Sequence, residues 1–187
     1  MNERVLIVVA GPPCTGKTAL AEKIAEKFNL LMLYKDGIKE TLMDSLGAEN
    51  KEESREIGIA TYKVLYHLFE AVMYTGNSLV IESNFYAEYD SEKLDSLVRK
   101  FRYTAVQIQC LTESEVLFER YMKRANSGAR HPGHFDLQYQ NIESALKDGR
   151  TEPLKIGGQL IDLDTTDFGK IDYEKLYDTI ENLKQSF

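Results

Sequence analysis

Gly11-Pro12-Pro13-Cys14-Thr15-Gly16-Lys17-Thr18 is the stretch that decides the fold. Val5-Leu6-Ile7-Val8-Val9-Ala10, an apolar run of strand length, precedes it, and a helical pattern follows. Strand, glycine-bounded loop and a Gly-Lys-Thr that opens a helix spell the phosphate-loop pattern G-x-x-x-x-G-K-[ST] in the setting it requires. Backbone N–H groups from Cys14 to Thr18 converge on one concavity, and the helix N-terminus adds partial positive charge. Gly11 and Gly16 permit backbone angles and a close approach that a Cβ would block. Pro12 and Pro13 lack an N–H, but they precede the donors and stiffen the entry. Lys17 can reach the β- and γ-phosphates of a nucleotide, and the Thr18 hydroxyl can bind Mg²⁺. Nucleotide contacts are therefore expected from Gly11, Pro13, Cys14, Thr15, Gly16, Lys17 and Thr18.

Working outward, Ala19 to Phe28 reads as a helix with Leu20, Ile24 and Phe28 on one face. Leu30 to Tyr34 reads as a short buried strand, with a helix following Lys35-Asp36-Gly37. A long helix is expected from about Glu52 to Tyr74, where Ile57, Val64, Leu65, Leu68, Phe69, Val72 and Met73 keep the helical period. Gly76 suits a left-handed cap, and Ser78 to Glu82 is the third strand. Helix 90–101, strand 103–110 and helix 113–125 come next. Asn126 to His134 breaks all periodicity and reads as a mobile loop, since Phe135 to Lys147 looks helical again. Gln159 to Leu163 is the fifth strand, and Asp172 to Leu183 closes the chain. Strands separated by helices imply parallel crossovers and a three-layer α/β domain. Ligands in such sheets sit beyond the carboxyl ends of the strands, where Asp36, Glu82 and the phosphate loop all fall.

With 187 residues, one domain over 1–187 is expected, carrying a lid insertion at about 124–136. The net charge of −7 argues against general affinity for nucleic acid or an anionic membrane. Cys14 lies in the phosphate loop and Cys110 ends a strand, so a disulfide is not expected and a reducing cytoplasm fits. The start runs straight into a six-residue apolar strand, too short for a signal-peptide core, and no apolar run has membrane-spanning length.

Four stretches resemble the P-loop kinase group, in particular its polynucleotide 5′-hydroxyl kinase, zeta-toxin and chloramphenicol phosphotransferase branch. The phosphate loop is the first. The second is Tyr34-Lys35-Asp36-Gly37-Ile38-Lys39, where the polynucleotide kinases carry a basic residue, an aspartate and a second basic residue. By that resemblance Asp36 is the general base toward the acceptor hydroxyl and Lys39 touches the acceptor. The alternative reading of Asp36 is a cap of the following helix. The third is Ile81-Glu82-Ser83-Asn84-Phe85, an acidic-[ST]-Asn-apolar turn. It implies acceptor contacts from Glu82, Asn84 and Phe85, with Glu82 also serving Mg²⁺, although aspartate is the more usual residue there. The fourth is Arg120 and Arg124, which share a helix face, followed by Arg130 in the lid. In adenylate kinases and their relatives such arginines pack on adenine and reach the transferring phosphate, which implies catalytic roles for Lys17, Arg124 and Arg130. Asp164-Thr165-Thr166 resembles the adenine-side loop, with Thr165 as a contact. The resemblance further implies the strand order 2-3-1-4-5.

The implied activity is ATP-dependent transfer of phosphate, with ATP and Mg²⁺, to a hydroxyl of a small molecule. Tyr62 and Tyr66 are available to line the acceptor side. A polynucleotide or nucleotide-sugar hydroxyl is the alternative acceptor, although the acidic balance disfavours nucleic acid. A nucleotide-dependent switch is the alternative of another class. Asp44-Ser45-Leu46-Gly47 has the D-x-x-G spelling of such switches, but it lies in a helical pattern, and no Asn-Lys-x-Asp segment exists. His131 and His134 flank Pro132-Gly133 without a third ligand beside them, so a role in lid shape is favoured over metal binding.

Overall fold

A computed structural model describes residues 4–128, 130–135 and 142–185. Five parallel strands form one sheet in the order 2-3-1-4-5. They are β1 (Val5–Ala10), β2 (Leu31–Tyr34), β3 (Leu79–Glu82), β4 (Thr104–Leu111) and β5 (Gln159–Asp164). The helices are α1 (Lys17–Phe28), α2 (Lys35–Leu46), α3 (Lys51–Tyr74), α4 (Ala87–Phe101), α5 (Ser114–Asn126), α6 (Ile142–Leu146) and α7 (Tyr173–Gln185).

All six residues of β1 are buried because the strand is central and covered on both faces. Leu6, Val8 and Ala10 face a layer built from Leu65, Phe69 and Met73 of α3 and Leu94 of α4. Val5, Ile7 and Val9 face Leu20 and Ile24 of α1 and Leu176 and Ile180 of α7. Register places the site: Val9 and Tyr34 both pair with Glu82. The last residues of β2 and β3 and the exit of β1 thus lie in one row, from which α2 and the phosphate loop depart. Among the described residues no helix is long and apolar enough to cross a membrane.

Several local expectations are corrected. The second strand is a sheet edge rather than buried, with Leu31 half exposed. Helix α4 begins at Ala87, ahead of the expected Asp90. Asp90 is buried and its Oδ2 accepts from the Tyr86 amide at 2.7 Å, tying off a first turn that carries no apolar period. The aperiodic stretch before α6 holds a 3₁₀ turn, Pro132–His134, which Phe135 closes at φ 54° rather than opening a helix. Of the expected helix 135–147, α6 covers Ile142–Leu146, and 136–141 lie outside the described residues.

Phe69 is fully buried between α3 and the sheet, whereas Tyr74 at the end of the same helix is 80% exposed. Phe69→Ala should lower the unfolding free energy by about 3–5 kcal/mol in urea denaturation. Tyr74→Ala should stay within about 0.5 kcal/mol of the parent. Similar losses for the two would contradict the placement of this helix.

Candidate active site

The phosphate loop leaves β1 at Gly11, whose φ is 140°. A Cβ there would lie 2.6 Å from the Cys110 carbonyl oxygen, so only glycine lets the loop cross β4 this closely. Cys14 at φ 65° and Gly16 at φ 82° complete the turn into α1. Thr15 Oγ1 and Lys17 Nζ donate to the Pro12 carbonyl at 2.9 and 2.8 Å. The lysine thus arches over its own loop. Thr18 Oγ1 donates to Glu82 Oε2 at 3.0 Å, and Lys17 Nζ stands 4.0 Å from Glu82 Oε1. Burial draws the Lys17 ammonium below its ordinary value and pushes the Glu82 carboxyl above its own. Their mutual attraction opposes both shifts. Burial also pushes the Cys110 thiol beneath the loop up to about 12, so it stays protonated. Cys14 and Cys110 form no disulfide.

On the far side of Glu82, α2 starts at Lys35 and presents Asp36 in its first turn. Asp36 Oδ1 accepts from Lys35 Nζ at 3.2 Å, and Oδ2 accepts from Arg130 at 3.0 Å. Burial works to raise this carboxyl, but the two cations overrule it and hold it well below the usual carboxylate range. Lys39 is buried one turn on, its Nζ donating to Ser54 Oγ at 2.9 Å. Tyr62 and Tyr66 do not line the cavity: their hydroxyls bond Ser83 at 2.9 Å and Asp90 at 2.7 Å, bracing the turn after β3 from behind. Phe85, at φ 28° and fully buried, anchors that turn in the core, while Ser83, Asn84 and Tyr86 reach the cavity.

Residues 130–134 dock on α2 through three paired groups. Arg130 meets Asp36, His134 Nε2 meets Glu40 at 2.8 Å, and His131 Nε2 meets Asp44 at 3.0 Å. The three carboxylates are four residues apart and share one helix face. Gly133 fits against Met43, whose sulfur would lie 2.7 Å from an added Cβ. Arg130 also contacts His134 Nδ1 at 3.0 Å. Arginine only donates, so Nδ1 accepts and Nε2 carries the proton given to Glu40. Asp44 is part of α2 and Gly47 is its cap, so the D-x-x-G spelling is helical, as its pattern predicts.

On α5, Arg120 donates to the carbonyls of Thr165 and Thr166 at 2.9 and 2.7 Å and lies 4.0 Å over the Phe168 ring. That ring covers Gly16, where a Cβ would fall 2.7 Å away. Thr165 turns its hydroxyl inward to Leu111 O at 2.8 Å and Thr112 at 2.7 Å, so it shapes the loop and only its backbone faces Arg120. Arg124 lines the cavity beside Tyr121.

These groups enclose one cavity of about 620 Å³, within the range of small-molecule sites. Pro13, Cys14, Gly16, Lys17, Thr18, Asp36, Lys39, Glu82, Asn84, Arg120, Arg124 and Arg130 all line it. Gly11, Thr15, Phe85 and Thr165 support the cavity without lining it. Thr151 and Phe168 also line it and were not singled out by sequence. Neither belongs to a contiguous motif; an exposed aromatic in a polar turn is the only signal Phe168 offers. Among the described residues no three His, Cys, Asp or Glu side chains gather as metal ligands.

A profile of the family described as AAA domain matches residues 6–145. The solved structure of a provisionally assigned kinase from Chloroflexus aurantiacus is 34% identical, with a TM-score of 0.87 over 100% of this chain and 98% of that one. The APS kinase CysC of Mycobacterium tuberculosis, solved with AMPPNP and APS, is 14% identical with a TM-score of 0.60, over 99% of each chain. Kti12 of Chaetomium thermophilum, solved with ADP-AlF3, is 18% identical with a TM-score of 0.63, over 95% of this chain and 98% of that one. The latter two are alike in fold. No curated protein matches the sequence.

Burial, reinforced by Arg130, holds the docked His134 below its ordinary 6.5. Lys39 acts in the same direction, while Asp36 and Glu40 oppose it. A histidine released from the lid contact takes up a proton as pH falls through 6.5, and the docked one resists. Docking is therefore at full strength above that pH and weakens below it. The His134 amide, bonded to His131 O at 3.1 Å, reports on it. Its exchange protection, corrected for intrinsic rate, should drop by up to about tenfold between pH 7.5 and 5.5. Unchanged protection across that window would contradict the docked, neutral histidine.

Proposed function

The chain belongs to the AAA domain family, and from that premise we propose that it is an ATP-dependent kinase acting on a hydroxyl of a small molecule. One observation carries the reading: the phosphate loop and the Asp36 carboxylate open into the same cavity, with Glu82 between them. The resemblance to the polynucleotide-kinase branch supplies the roles of Asp36 and Lys39.

In this reading the triphosphate lies along the amides of Cys14 to Thr18, and Lys17 exchanges the Pro12 carbonyl for phosphate oxygens. Thr18 Oγ1 and Glu82 Oε2, two hard oxygen donors 3.0 Å apart, fit Mg²⁺ shared with the nucleotide. Bound there, the ion would supply charge neutralisation at the β- and γ-phosphates. Asp36 orients the acceptor hydroxyl toward the γ-phosphorus. The hydroxyl oxygen forms the new P–O bond, and the bond to the β,γ-bridging oxygen breaks with its electron pair leaving on ADP. The hydroxyl proton passes to Asp36 and on to solvent. Lys35 and Arg130 keep Asp36 ionised, which makes it a weak base and a firm hydrogen-bond acceptor. That suffices for a loose phosphoryl-transfer transition state, in which the nucleophile's proton is little perturbed until late. Arg120 and Arg124 bring positive charge to the nucleotide side of the cavity.

Two substitutions separate the roles. Lys17→Ala should lower ATP-dependent turnover by about 10²–10³-fold while circular dichroism and unfolding stay near the parent. Asp36→Asn should lower kcat by about 10²–10⁴-fold and leave the ATP affinity nearly unchanged. Undiminished turnover in the first would remove the phosphate-loop assignment. A normal kcat in the second would leave Asp36 as a lid anchor and helix-end residue.

A further inference from the structure

Strand β4 carries two polar side chains where packing alone calls for apolar ones. Val106, Ile108 and Cys110 face α1 and α7. Side chains alternate along a strand, so Gln107 and Gln109 lie on the other face with Ala105, toward α3 and α4. Both are buried, Gln109 fully. Buried amides cost stability unless they find partners. These two form a chain that leads to the cavity. Gln107 Nε2 donates to Gln109 Oε1 at 3.1 Å. Gln109 Nε2 in turn donates to the Thr151 carbonyl at 3.2 Å and to Thr151 Oγ1 at 2.8 Å. Thr151 borders the cavity.

The chain has a direction. A carbonyl oxygen only accepts, so Gln109 presents its NH₂ group to Thr151. An amide nitrogen only donates, so Thr151 Oγ1 accepts from it and its own proton is left to donate elsewhere. Among the described residues nothing receives that proton. Asn84 borders the same cavity, and its carboxamide has no partner among the described residues. Both groups are tied to α4. Asn84 leads into that helix, and the segment after Thr151 runs along it, with the Lys155 amide on Ser91 Oγ at 3.0 Å and the Gly157 amide on Asp95 Oδ1 at 3.1 Å.

We infer that Thr151, together with Asn84, binds further hydroxyls of the acceptor, which is a polyhydroxylated alcohol of the polyol or sugar class. This rests on the kinase reading above. Both side chains are neutral, and each can give one hydrogen bond and take another. A hydroxyl also gives and takes, so it uses both capacities, whereas an anion uses donors alone. Gln109, held by Gln107, is the positioning residue that leaves the Thr151 proton for the ligand.

The test follows ADP release, above the rate without acceptor, for paired alcohols. Each pair shares a primary hydroxyl and its ring or chain, and one member lacks the other hydroxyls: glycerol and propan-1-ol, ribose and tetrahydrofurfuryl alcohol, glucose and tetrahydropyran-2-methanol. A polyol is expected to exceed its stripped partner at least about tenfold in kcat/KM. For that polyol Thr151→Val should raise KM about 3–10-fold, the loss of one hydrogen bond between neutral groups, and Thr151→Ser should stay within about twofold. Gln109→Met should raise KM by itself but add less than about twofold to Thr151→Val. Thermal unfolding checks that each variant folds. Stripped partners used as well as polyols, a KM unmoved by Thr151→Val, or Thr151→Ser as poor as Thr151→Val overturns the inference. Additive effects of Gln109→Met and Thr151→Val overturn the positioning role of Gln109. No transfer to any polyol while AMP-PNP still binds overturns the acceptor class and leaves the nucleotide half of the kinase reading standing. Failure of AMP-PNP to bind sinks the kinase reading itself, and this inference with it.

Discussion

Glu82 holds the site together. Parallel register sets it beside Val9 at the end of β1 and Tyr34 at the end of β2. One side chain then receives the Thr18 hydroxyl at 3.0 Å and faces the Lys17 ammonium at 4.0 Å. Because β3 lies between β1 and β2, its last residue stands between the phosphate loop and the start of α2. Sheet order thereby becomes site geometry. The phosphate loop and α2 leave strand ends on either side of β3, and a buried carboxylate fills the seam. A one-residue slip would turn that carboxylate to the opposite face of the sheet.

The docked residues 130–134 change the electrostatic picture around Asp36. Resemblance to other kinases directs Arg130 at the transferring phosphate, whereas here it lies on Asp36 and braces His134. The stripe Asp36, Glu40 and Asp44 gives residues 130–134 a ladder to dock on, and Gly133 seated on Met43 fixes their approach. An acceptor that reaches Asp36 must share it with Arg130 or displace that guanidinium. In the kinase proposed above, acceptor binding and the position of residues 130–134 would then draw on the same carboxylate.

What could be read from the sequence follows from locality. The phosphate loop lies in eight consecutive residues whose donors are backbone amides, so spelling and geometry nearly coincide. Central strands read clearly because burial on both faces leaves unbroken apolar runs, as in β1. The edge position of β2 was not readable, since Leu31 is apolar yet half exposed. The lid contacts were hidden because Arg130 with Asp36 and His134 with Glu40 are each separated by 94 residues. The side-chain direction of Thr165 depends on a hydroxyl pairing with Thr112 that no motif encodes. Phe168 went unnoticed for a similar reason, its role being set by Gly16 and Arg120 from two other segments.

The central claim is that this loop grips a triphosphate beside an ionised Asp36. A crystal structure of the protein with AMP-PNP and Mg²⁺ tests it most directly. The account predicts β- and γ-phosphates on the amides of Cys14 to Thr18, Lys17 Nζ moved from the Pro12 carbonyl to phosphate oxygen, and the metal between Thr18 and Glu82. Nucleotide bound elsewhere, with Lys17 still on Pro12, would contradict it.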